Sequence, residues 1–338
     1  MLNYNDSMNG SSVMNRTSLA GRASDEPEKF DLDSYFRSRT LAIDRALDGY
    51  LRRYSKQSGK IWQAMHYGLF PGGKRIRPVL VLAAGELFGG KRKALLPFAC
   101  AIEMIHGYSL IHDDLPALDN DDLRRGVPTN HKVFGEGLAL LAGDGLLTEA
   151  FHIISGSEVS AAVTPDLALK LIHELSGAVG IAGLVGGQAF DLESERRAVD
   201  IGVVEYIHVR KTGALLRASV RLGAQVAGAK ANDLKRITRF GACLGLAFQI
   251  ADDILDLLEE TAPGELAESG RSEWNKATYP SVVGVAKAQE RLRGLLRQCR
   301  RELTAYGAGA AALRAIAQQV AARALHEKVN NRTEEKFP

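Results

Sequence analysis

The sequence predicts an all-α protein, built as a single-domain bundle of long helices. From Phe30 onward, apolar residues recur at three- and four-residue steps, as they do along one face of an α-helix. No segment alternates apolar and polar residues as a half-buried strand does, and no hairpin turn pair is recognisable. Hydrophobic residues make up 46% of the chain, which is ample for a buried core.

The 338 residues are expected to form one large helical domain. Residues 1–27 mix Asn, Ser, Gly and Met without the order of a secretory signal, and they predict a disordered leader. The helical domain is expected at 28–332, followed by a C-terminal tail at 333–338. No repeat of the length found in solenoids or propellers is detectable.

After the first helical pattern, further helices are predicted at residues 79–88, 94–110, 132–155, 164–183, 199–227, 232–260, 279–304 and 309–328. Pro116 cannot continue a helix. Asp113 and Asp114 should therefore lie at a helix end, and Asp119 should follow a loop or kink.

The net charge of +3, from 43 basic and 40 acidic residues, is too balanced for a nucleic-acid-binding protein. Cys100, Cys243 and Cys299 are far apart in sequence and have no metal-binding or redox spacing. They indicate core or surface thiols in a reducing compartment, so we expect a cytoplasmic protein. No uninterrupted run of apolar residues is long enough for a membrane helix, and no membrane span is predicted.

The stretch Ile111–Gly126 concentrates acidic side chains and two arginines after an apolar run. Carboxylates that have room for water and a phosphate-bearing ligand commonly hold Mg²⁺. Arg124 and Arg125 can present planar donor groups to phosphate oxygens. A calcium-binding EF-hand is excluded, because Leu123 stands where the third oxygen ligand belongs and the glycine is misplaced. The stretch therefore predicts a diphosphate site that uses magnesium.

A glycine-rich basic turn occupies Gly68–Pro78 and contains the spelling of a P-loop. A P-loop is rejected, because Arg75 stands where a Ser or Thr hydroxyl must reach Mg²⁺ and the preceding residues are not strand-like. The turn either presents Lys74 and Arg77 to an anion or is a solvated basic turn.

His106 lies on the apolar helix that leads into the acidic stretch. It precedes Asp113 by two helical turns, so both side chains should point to one side of the helix. Two interpretations stay open: a core histidine whose hydrogen bonds are satisfied, and a ligand-binding histidine.

Three later stretches add polar groups to helical surroundings. Gly186–Asp191 places two glycines before a polar pair, and Lys211–Leu216 carries a cation and a hydroxyl beside a glycine. Each is as compatible with close helix packing or a surface lysine as with a site. Asp252 and Asp256 are four residues apart on an otherwise apolar helix face, where unpaired carboxylates would be costly. This face predicts a counterpart to the first acidic stretch.

Taken in order, these motifs resemble those of the trans-isoprenyl diphosphate synthases, of the farnesyl and geranylgeranyl diphosphate synthase type. The resemblance covers most of the chain from Gly72 to Pro280. The motifs are G-G-K-R-x-R-P, D-D-x-x-x-x-D with its two arginines, G-G-Q-x-x-D, K-T-G and D-D-x-x-D, the last at Asp252, Asp253 and Asp256. The implied fold is the isoprenoid synthase bundle around a central apolar cavity, and a homodimer is implied as well.

The resemblance also implies roles by position. Three Mg²⁺ on an allylic diphosphate would be held by Asp113, Asp114, Asp119, Asp252 and Asp256. The same diphosphate would be gripped by Arg124, Lys211 and Lys276. Isopentenyl diphosphate would be bound by Lys74, Arg77, His106 and Arg125. Thr212 and Gln249 would face the forming carbocation, and catalysis would rest mainly on Asp113, Asp114, Asp119, Lys211, Thr212, Gln249 and Asp252.

The implied reaction is a magnesium-dependent condensation of isopentenyl diphosphate with dimethylallyl or geranyl diphosphate. Tyr108 precedes Asp113 by about 7.5 Å along the helix axis, where a bulky ring would stop the growing product at farnesyl length. Alternatively, Tyr108 packs between helices and the product is geranylgeranyl diphosphate. A non-catalytic subunit of a heteromeric synthase is disfavoured by the two intact acidic motifs, and a terpene cyclase by the basic turn.

One position departs from the family pattern. The family usually carries a lysine in a Leu-Gly-Lys turn after the second acidic motif, whereas this chain has Gly264–Glu268 with acidic residues there. Lys276 is retained, and Arg271 is a possible substitute. The departure bears on affinity or rate more than on the type of reaction.

Overall fold

Helices form nearly all of the described chain. The computed structural model describes residues 30–56, 59–70, 72–195, 197, 199–260 and 278–325. Apart from Phe30, these residues belong to the structural unit Asp31–Pro338. The predicted domain limits at residues 28 and 332 lie outside the described residues, as do the predicted leader and tail.

The longer helices bear out the prediction of an all-α fold. In chain order, the α-helices are α1 (Leu32–Arg52), α2 (Gly59–Leu69), α3 (Ile76–Leu87), α4 (Arg92–Asp113), α5 (Asn130–Phe134), α6 (Glu136–Ser155), α7 (Ser157–Ser160), α8 (Pro165–Val179), α9 (Leu184–Ser194), α10 (Ile201–Ile207), α11 (Ala214–Val226), α12 (Ala231–Glu260), α13 (Tyr279–Val283), α14 (Val285–Leu303) and α15 (Ala311–Ala322). A π-helical segment, His208–Gly213, joins α10 to α11, and a 3₁₀ segment, Thr304–Ala310, precedes α15.

Two predicted helices are interrupted by glycines. The prediction for 132–155 divides at Gly135, which has φ 84°, into α5 and α6. The prediction for 279–304 divides at Gly284, which has φ 83°, into α13 and α14. Residues with a side chain rarely adopt such a φ, so each glycine permits the chain to change direction between two helices. The prediction for 164–183 was also too long, because α8 ends at Val179.

A short hairpin contradicts the expectation that the chain has none. Strands β1 (Leu123–Arg124) and β2 (Val127–Pro128) pair in antiparallel register, with Arg124 opposite Val127. The two connecting residues, Arg125 and Gly126, have φ values of 55° and 79°. Positive φ at both central residues is the geometry of a tight type I′ hairpin turn. The sequence lacks the usual Asn or Asp at the first turn position, so the hairpin was not recognised.

The core is organised around α4, which packs against α3 and α6. Its residues Ile102, Met104 and Ile105 are completely inaccessible to solvent. Two further helices, α11 and α12, pack against each other, and α12 also packs against α14. Because α4 ends at Asp113 and α12 carries Asp252, two core helices set the positions of the acidic motifs.

Three stretches are long and apolar enough, by length and composition, to cross a membrane: Arg92–Asp113, Glu136–Ser155 and Pro165–Ser194. The expectation of no membrane span therefore does not follow from composition. The apolar window of the first stretch is 72% buried inside the protein, against 44% and 33% for the other two. The apolar window of α4 is thus mostly buried in the core, whereas more than half of each of the other two windows is not buried.

Candidate active site

The first acidic motif forms where α4 ends. Asp113 is the last residue of this helix, as the sequence predicts, and Asp114 caps it. The backbone N–H of Asp119 donates to the carbonyl oxygen of Asp113 at 2.8 Å, so the loop returns to the helix end. Burial raises the pKa of Asp113 to about 6; the charge of Lys211 opposes this shift and that of Asp119 adds to it. Carboxylates that are desolvated and close together fit a site for a hard cation.

Arg124 is directed at the carboxylate of Asp114. Its Nε donates to Oδ1 of Asp114 at 2.5 Å, and a second nitrogen lies 3.2 Å from Asp121. Asp114 is only 3% exposed, and its burial raises its pKa while the Arg124 bond opposes that shift. The buried carboxylate of Asp114 is thus already paired, unlike the partly accessible one of Asp113.

Arg125 points to a different wall of the site. Its Nη1 donates to the carbonyl oxygen of Gly72, in the basic turn before α3. The hairpin turn therefore separates two adjacent arginines: Arg124 contacts the end of α4, and Arg125 contacts the basic turn. That the two arginines serve different diphosphates stays a prediction, and their different contacts are compatible with it.

The basic turn is anchored by Arg75, the residue that excluded a P-loop. Arg75 donates to Asp44 at 2.9 Å, to Glu103 at 2.7 Å and to the carbonyl oxygen of Leu69 at 2.6 Å. It also has a positive φ of 47° at the start of α3. A buried guanidinium with three acceptors holds the turn in one conformation. The neighbouring Lys74 is left exposed to solvent.

Arg77 and His106 meet on the inner side of this turn. Nη1 of Arg77 lies 3.2 Å from Nε2 of His106. Burial and the charge of Arg77 hold the pKa of His106 well below 6.5, so the ring is neutral and Nε2 accepts from Arg77. In this tautomer Nδ1 carries the hydrogen and can donate a hydrogen bond to an anion. Nε of Arg77 is buried without a hydrogen-bond partner, which also fits an anion ligand.

The π-helical segment supplies the opposite cationic group. Nζ of Lys211 donates to Asp191 of α9 at 2.7 Å, and its charge acts on Asp113. The two segments approach so closely that a Cβ on Gly187 would lie 2.3 Å from the backbone N of Lys211. Gly187, in the G-G-Q-x-x-D motif, is thus required for close packing, and Asp191 orients Lys211.

The second acidic motif lies on α12, close enough to the basic turn for the charges of the two to interact. Part of the surface of Asp252 is accessible to solvent, yet burial of its carboxylate among neighbouring groups raises its pKa, as does the charge of Asp253. The charges of Lys74 and Arg77 oppose that shift. Asp256 is exposed one helical turn further on. The structure therefore brings the basic turn close to Asp252, and Lys211 close to Asp113.

Asp253, the middle residue of this motif, faces the protein interior. It is 5% exposed, and its Oδ1 accepts a hydrogen bond from Gln249 at 3.1 Å. Its Oδ2 accepts from the backbone N–H of Tyr279 at 2.7 Å and lies 3.3 Å from Nε2 of His208. Gln249 in turn accepts from the hydroxyl of Thr212 at 2.7 Å. The predicted pair Thr212 and Gln249 is therefore joined directly, with Asp253 as its support.

Sequence reasoning missed three supporting residues. Asp191 and Asp253 contact predicted site residues, and His208 contacts Asp253, but none of the three was assigned a role of its own. The signal for Asp191 was its place in the G-G-Q-x-x-D motif, and the signal for Asp253 was its place in the second acidic motif. His208 precedes K-T-G by only three positions, but its partner lies 45 residues further on, and no local pattern indicates this contact.

Within the described ranges, no three acidic, histidine or cysteine side chains converge on one point as a complete metal site would require. Magnesium usually binds one or two carboxylates, with water and substrate phosphates supplying the remaining oxygens. The acidic side chains fit such a shared site. Lys276 and the Gly264–Glu268 turn lie outside the described residues.

Tyr108 lies on α4 within the buried part of the helix, ahead of the acidic motif. It is 6% exposed, and its ring makes an edge contact with His112 at 5.5 Å. Burial and the charge of Asp113 raise the pKa of its hydroxyl to about 12. The hydroxyl therefore stays protonated, and the ring is a bulky, almost completely buried group on α4.

Comparisons with known proteins find both the sequence and the architecture elsewhere. The family model described as Polyprenyl synthetase matches residues 59–316. Farnesyl diphosphate synthase of Geobacillus stearothermophilus is 46% identical over 296 residues, which cover 87% of this chain and 99% of the relative. The heterodimeric geranylgeranyl pyrophosphate synthase large subunit 1 of Arabidopsis thaliana is 44% identical over 304 residues, covering 88% and 81%. The solved structure of an FPP/GFPP synthase from Zymomonas mobilis matches with a TM-score of 0.77 and 37% identity, covering 86% of this chain and 98% of that one.

Proposed function

The chain belongs to the polyprenyl synthetase family of short-chain trans-prenyltransferases, and we propose that it condenses isopentenyl diphosphate with dimethylallyl and geranyl diphosphates to give farnesyl diphosphate. The observation that carries this proposal is the presence of two separate cationic groups near the acidic motifs. One contains Arg124 and Lys211, beside Asp113. The other contains Arg77, with Lys74, beside Asp252. A condensation of two diphosphates needs two such subsites.

The allylic diphosphate is assigned to the subsite between the two acidic motifs. Mg²⁺ held by Asp113, Asp114, Asp119, Asp252 and Asp256 would neutralise charge on the departing diphosphate. Lys211 sits within reach of the same region, and its present partner Asp191 would hold its ammonium group in position. Arg124 adds a planar donor group to this side.

Isopentenyl diphosphate is assigned to the basic turn. Arg77 offers a buried Nε without a partner, and neutral His106 offers its Nδ1 proton. Lys74 and Arg125 complete a set of donors at the turn that Arg75 holds in place. The charges of Lys74 and Arg77 also act on Asp252, so this subsite borders the second acidic motif.

Loss of the allylic diphosphate leaves a carbocation, which the double bond of isopentenyl diphosphate attacks. The product then loses a proton, and we assign the departing diphosphate as the acceptor, so no protein base is needed. Thr212 and Gln249 would present oxygen atoms toward the positive charge. Water would quench this intermediate, so the surrounding helices have to exclude it.

Farnesyl diphosphate is proposed as the main product because Tyr108 is a bulky, buried residue ahead of the first acidic motif. The relatives are named for both farnesyl and geranylgeranyl products, so geranylgeranyl diphosphate is the second candidate. Tyr108→Ala should shift the product distribution towards longer chains. Tyr50→Ala is the matched control, because Tyr50 is 7% exposed but lies on α1. Unchanged product length in Tyr108→Ala would refute the assignment of Tyr108 as the floor.

A non-catalytic subunit of a heteromeric synthase is the candidate from another functional class. One relative is named as the large subunit of a heterodimeric synthase. Purified protein that turns over substrates alone would exclude this candidate.

We further propose a cytoplasmic homodimer. Its support is the exposed apolar surface of α6 and of the α8–α9 connection, where Leu141 is 54% and Ile181 86% exposed. Light scattering of the protein and of Ile181→Glu tests the dimer.

The decisive experiment is mass analysis of the products formed from isopentenyl diphosphate with each allylic primer. Reactions should be run with Mg²⁺ and with a chelator. We expect farnesyl diphosphate from both primers and no product with the chelator. The absence of any condensation product in the presence of Mg²⁺ would overturn the proposal.

A further inference from the structure

Two cysteines that are 56 positions apart in sequence meet between α12 and α14. The two helices run antiparallel at this place: Arg239 pairs with Glu302 at 2.9 Å, and Cys243 contacts Gln298. Cys243 and Cys299 therefore occupy facing positions on the two helices. Neither forms a disulfide.

Each sulfur contacts the surroundings of the other. The thiol of Cys243 donates to Oε1 of Gln298, the residue before Cys299, at 3.2 Å. Sγ of Cys299 lies 3.9 Å from the carbonyl oxygen of Phe240, one turn before Cys243 on α12. The two cysteines thus face each other across the contact between α12 and α14.

The two thiols are not equivalent. Cys243 is partly accessible to solvent, whereas Cys299 is 1% exposed. The neighbouring Cys299 thiol lowers the pKa of the Cys243 thiol, because it stabilises the thiolate. The same interaction and burial raise the pKa of Cys299. An accessible thiol with a lowered pKa next to a buried second thiol is the arrangement of an attacking and a resolving cysteine.

We propose that Cys243 and Cys299 form an oxidisable dithiol, which low-molecular-weight disulfides such as oxidised glutathione convert into an intramolecular disulfide. The Cys243 thiolate attacks one sulfur of the small disulfide, forms a mixed disulfide and releases one small thiolate, which takes up a proton. Cys299 then loses its proton and attacks the Cys243 sulfur, releasing the second small thiol. The protein loses two hydrogens and the small disulfide gains them.

This dithiol is separate from the proposed catalytic groups. Asp252 lies nine residues after Cys243, or about 13.5 Å along the helix axis. The third cysteine, Cys100, is buried on α4 and contacts the carbonyl oxygen of Ile43. It provides an internal control, because the chain contains three cysteines in all.

The test incubates the full-length protein with oxidised glutathione, followed by intact mass, peptide mapping and thiol counting after denaturation. Wild type and Cys100→Ala should each lose two thiols, lose two hydrogen atoms in mass and yield a Cys243–Cys299 peptide. Cys243→Ala should keep all of its thiols. Cys299→Ala should stop at the mixed disulfide and gain the mass of one glutathione moiety. The oxidised wild type should also unfold at a higher temperature, because the cross-link restricts the unfolded chain.

Three results would overturn the proposal: no reaction of wild type, a wild-type mixed disulfide that never closes, or dimers linked by disulfides on a non-reducing gel. Circular dichroism of each variant shows whether the fold is kept. If Cys299→Ala is not folded, Cys299→Ser takes its place in the same assay. None of the readouts depends on prenyl transfer, so they stay informative whatever the enzymatic assay gives.

Discussion

The carboxylate of Asp253 accepts a hydrogen bond from the backbone N–H of Tyr279, at 2.7 Å across 26 residues of sequence. The same carboxylate contacts His208 and accepts from Gln249. One side chain therefore joins α12, the π-helical segment and the start of α13. Its position in the D-D-x-x-D motif does not make it equivalent to Asp252 and Asp256, which face solvent.

Asp253→Asn should lower turnover by about tenfold or more and the free energy of unfolding by about 2 kcal/mol. The amide places an N–H donor opposite groups that are themselves donors, so Gln249 and Thr212 lose their fixed orientation. Tyr279→Phe is the control, since it keeps the backbone N–H and removes only the hydroxyl bond to Glu205. Steady-state kinetics and thermal unfolding measure both effects; wild-type turnover in Asp253→Asn would contradict the positioning role.

Arg124 and Arg125 should affect different substrates. Arg124→Met is expected to raise KM for the allylic diphosphate about tenfold, and Arg125→Met to raise KM for isopentenyl diphosphate by a similar factor. The reason is that Arg124 contacts Asp114 whereas Arg125 contacts the basic turn at Gly72. Initial rates with one substrate varied at a time separate the two effects. Arg37→Met, on the exposed side of α1, controls for loss of positive charge. Equal effects of both variants on one substrate would refute the division.

Asp113→Asn should abolish turnover but stabilise the metal-free protein. The folded-state pKa of Asp113 is raised from 3.8 to about 6 by burial, so its charged form is disfavoured in the fold. Above pH 6 the wild type carries this penalty, about 2–3 kcal/mol, and below about pH 4 the carboxyl is neutral in both states and the penalty disappears. The difference in unfolding free energy between variant and wild type, measured in chelator from pH 4 to 8, should therefore grow with pH.

Asp122→Asn provides a control of opposite sign for this pH series. Asp122 is exposed, and its bond to Lys132 lowers its pKa. Its replacement should reduce, not raise, the unfolding temperature at neutral pH. A stability gain for Asp113→Asn that is constant across the pH range would show that the gain does not arise from the charge of Asp113.

Arg75→Met should destabilise the fold by about 3–5 kcal/mol, because it leaves the buried carboxylate of Glu103 unpaired. Adding Glu103→Leu should recover part of this loss, since the double variant buries no charge. Arg39→Met breaks a partly exposed pair with Glu86 and should cost about 1 kcal/mol or less. Denaturant unfolding measures all of these variants. A double variant that is less stable than Arg75→Met alone would argue against the unpaired-charge explanation.

The sequence was sufficient for the fold class and for the helix end at Asp113, because helical periodicity and Pro116 act locally. It was insufficient where the partner is distant. The break at Gly135 depends on a backbone angle, and the orientation of Asp253 depends on Tyr279, which lies beyond residues 261–277. The facing positions of Cys243 and Cys299 depend on the antiparallel packing of two helices. Local patterns identify residue types and faces, whereas pairings between helices arise only in the folded chain.

The π-helical segment His208–Gly213 makes the site sensitive to chain length as well as to residue identity. A π turn accommodates one more residue than an α turn. Deleting one residue here would restore α geometry with α10 and α11 in nearly the same register, because the wide turn already absorbs one extra residue, but it would move the side chains of the segment itself around the helix axis. Lys211 would then turn away from Asp191, although no charged group had been replaced. A one-residue deletion should thus be far more harmful than a conservative substitution, and loop grafting or recombination between relatives has to keep this length unchanged.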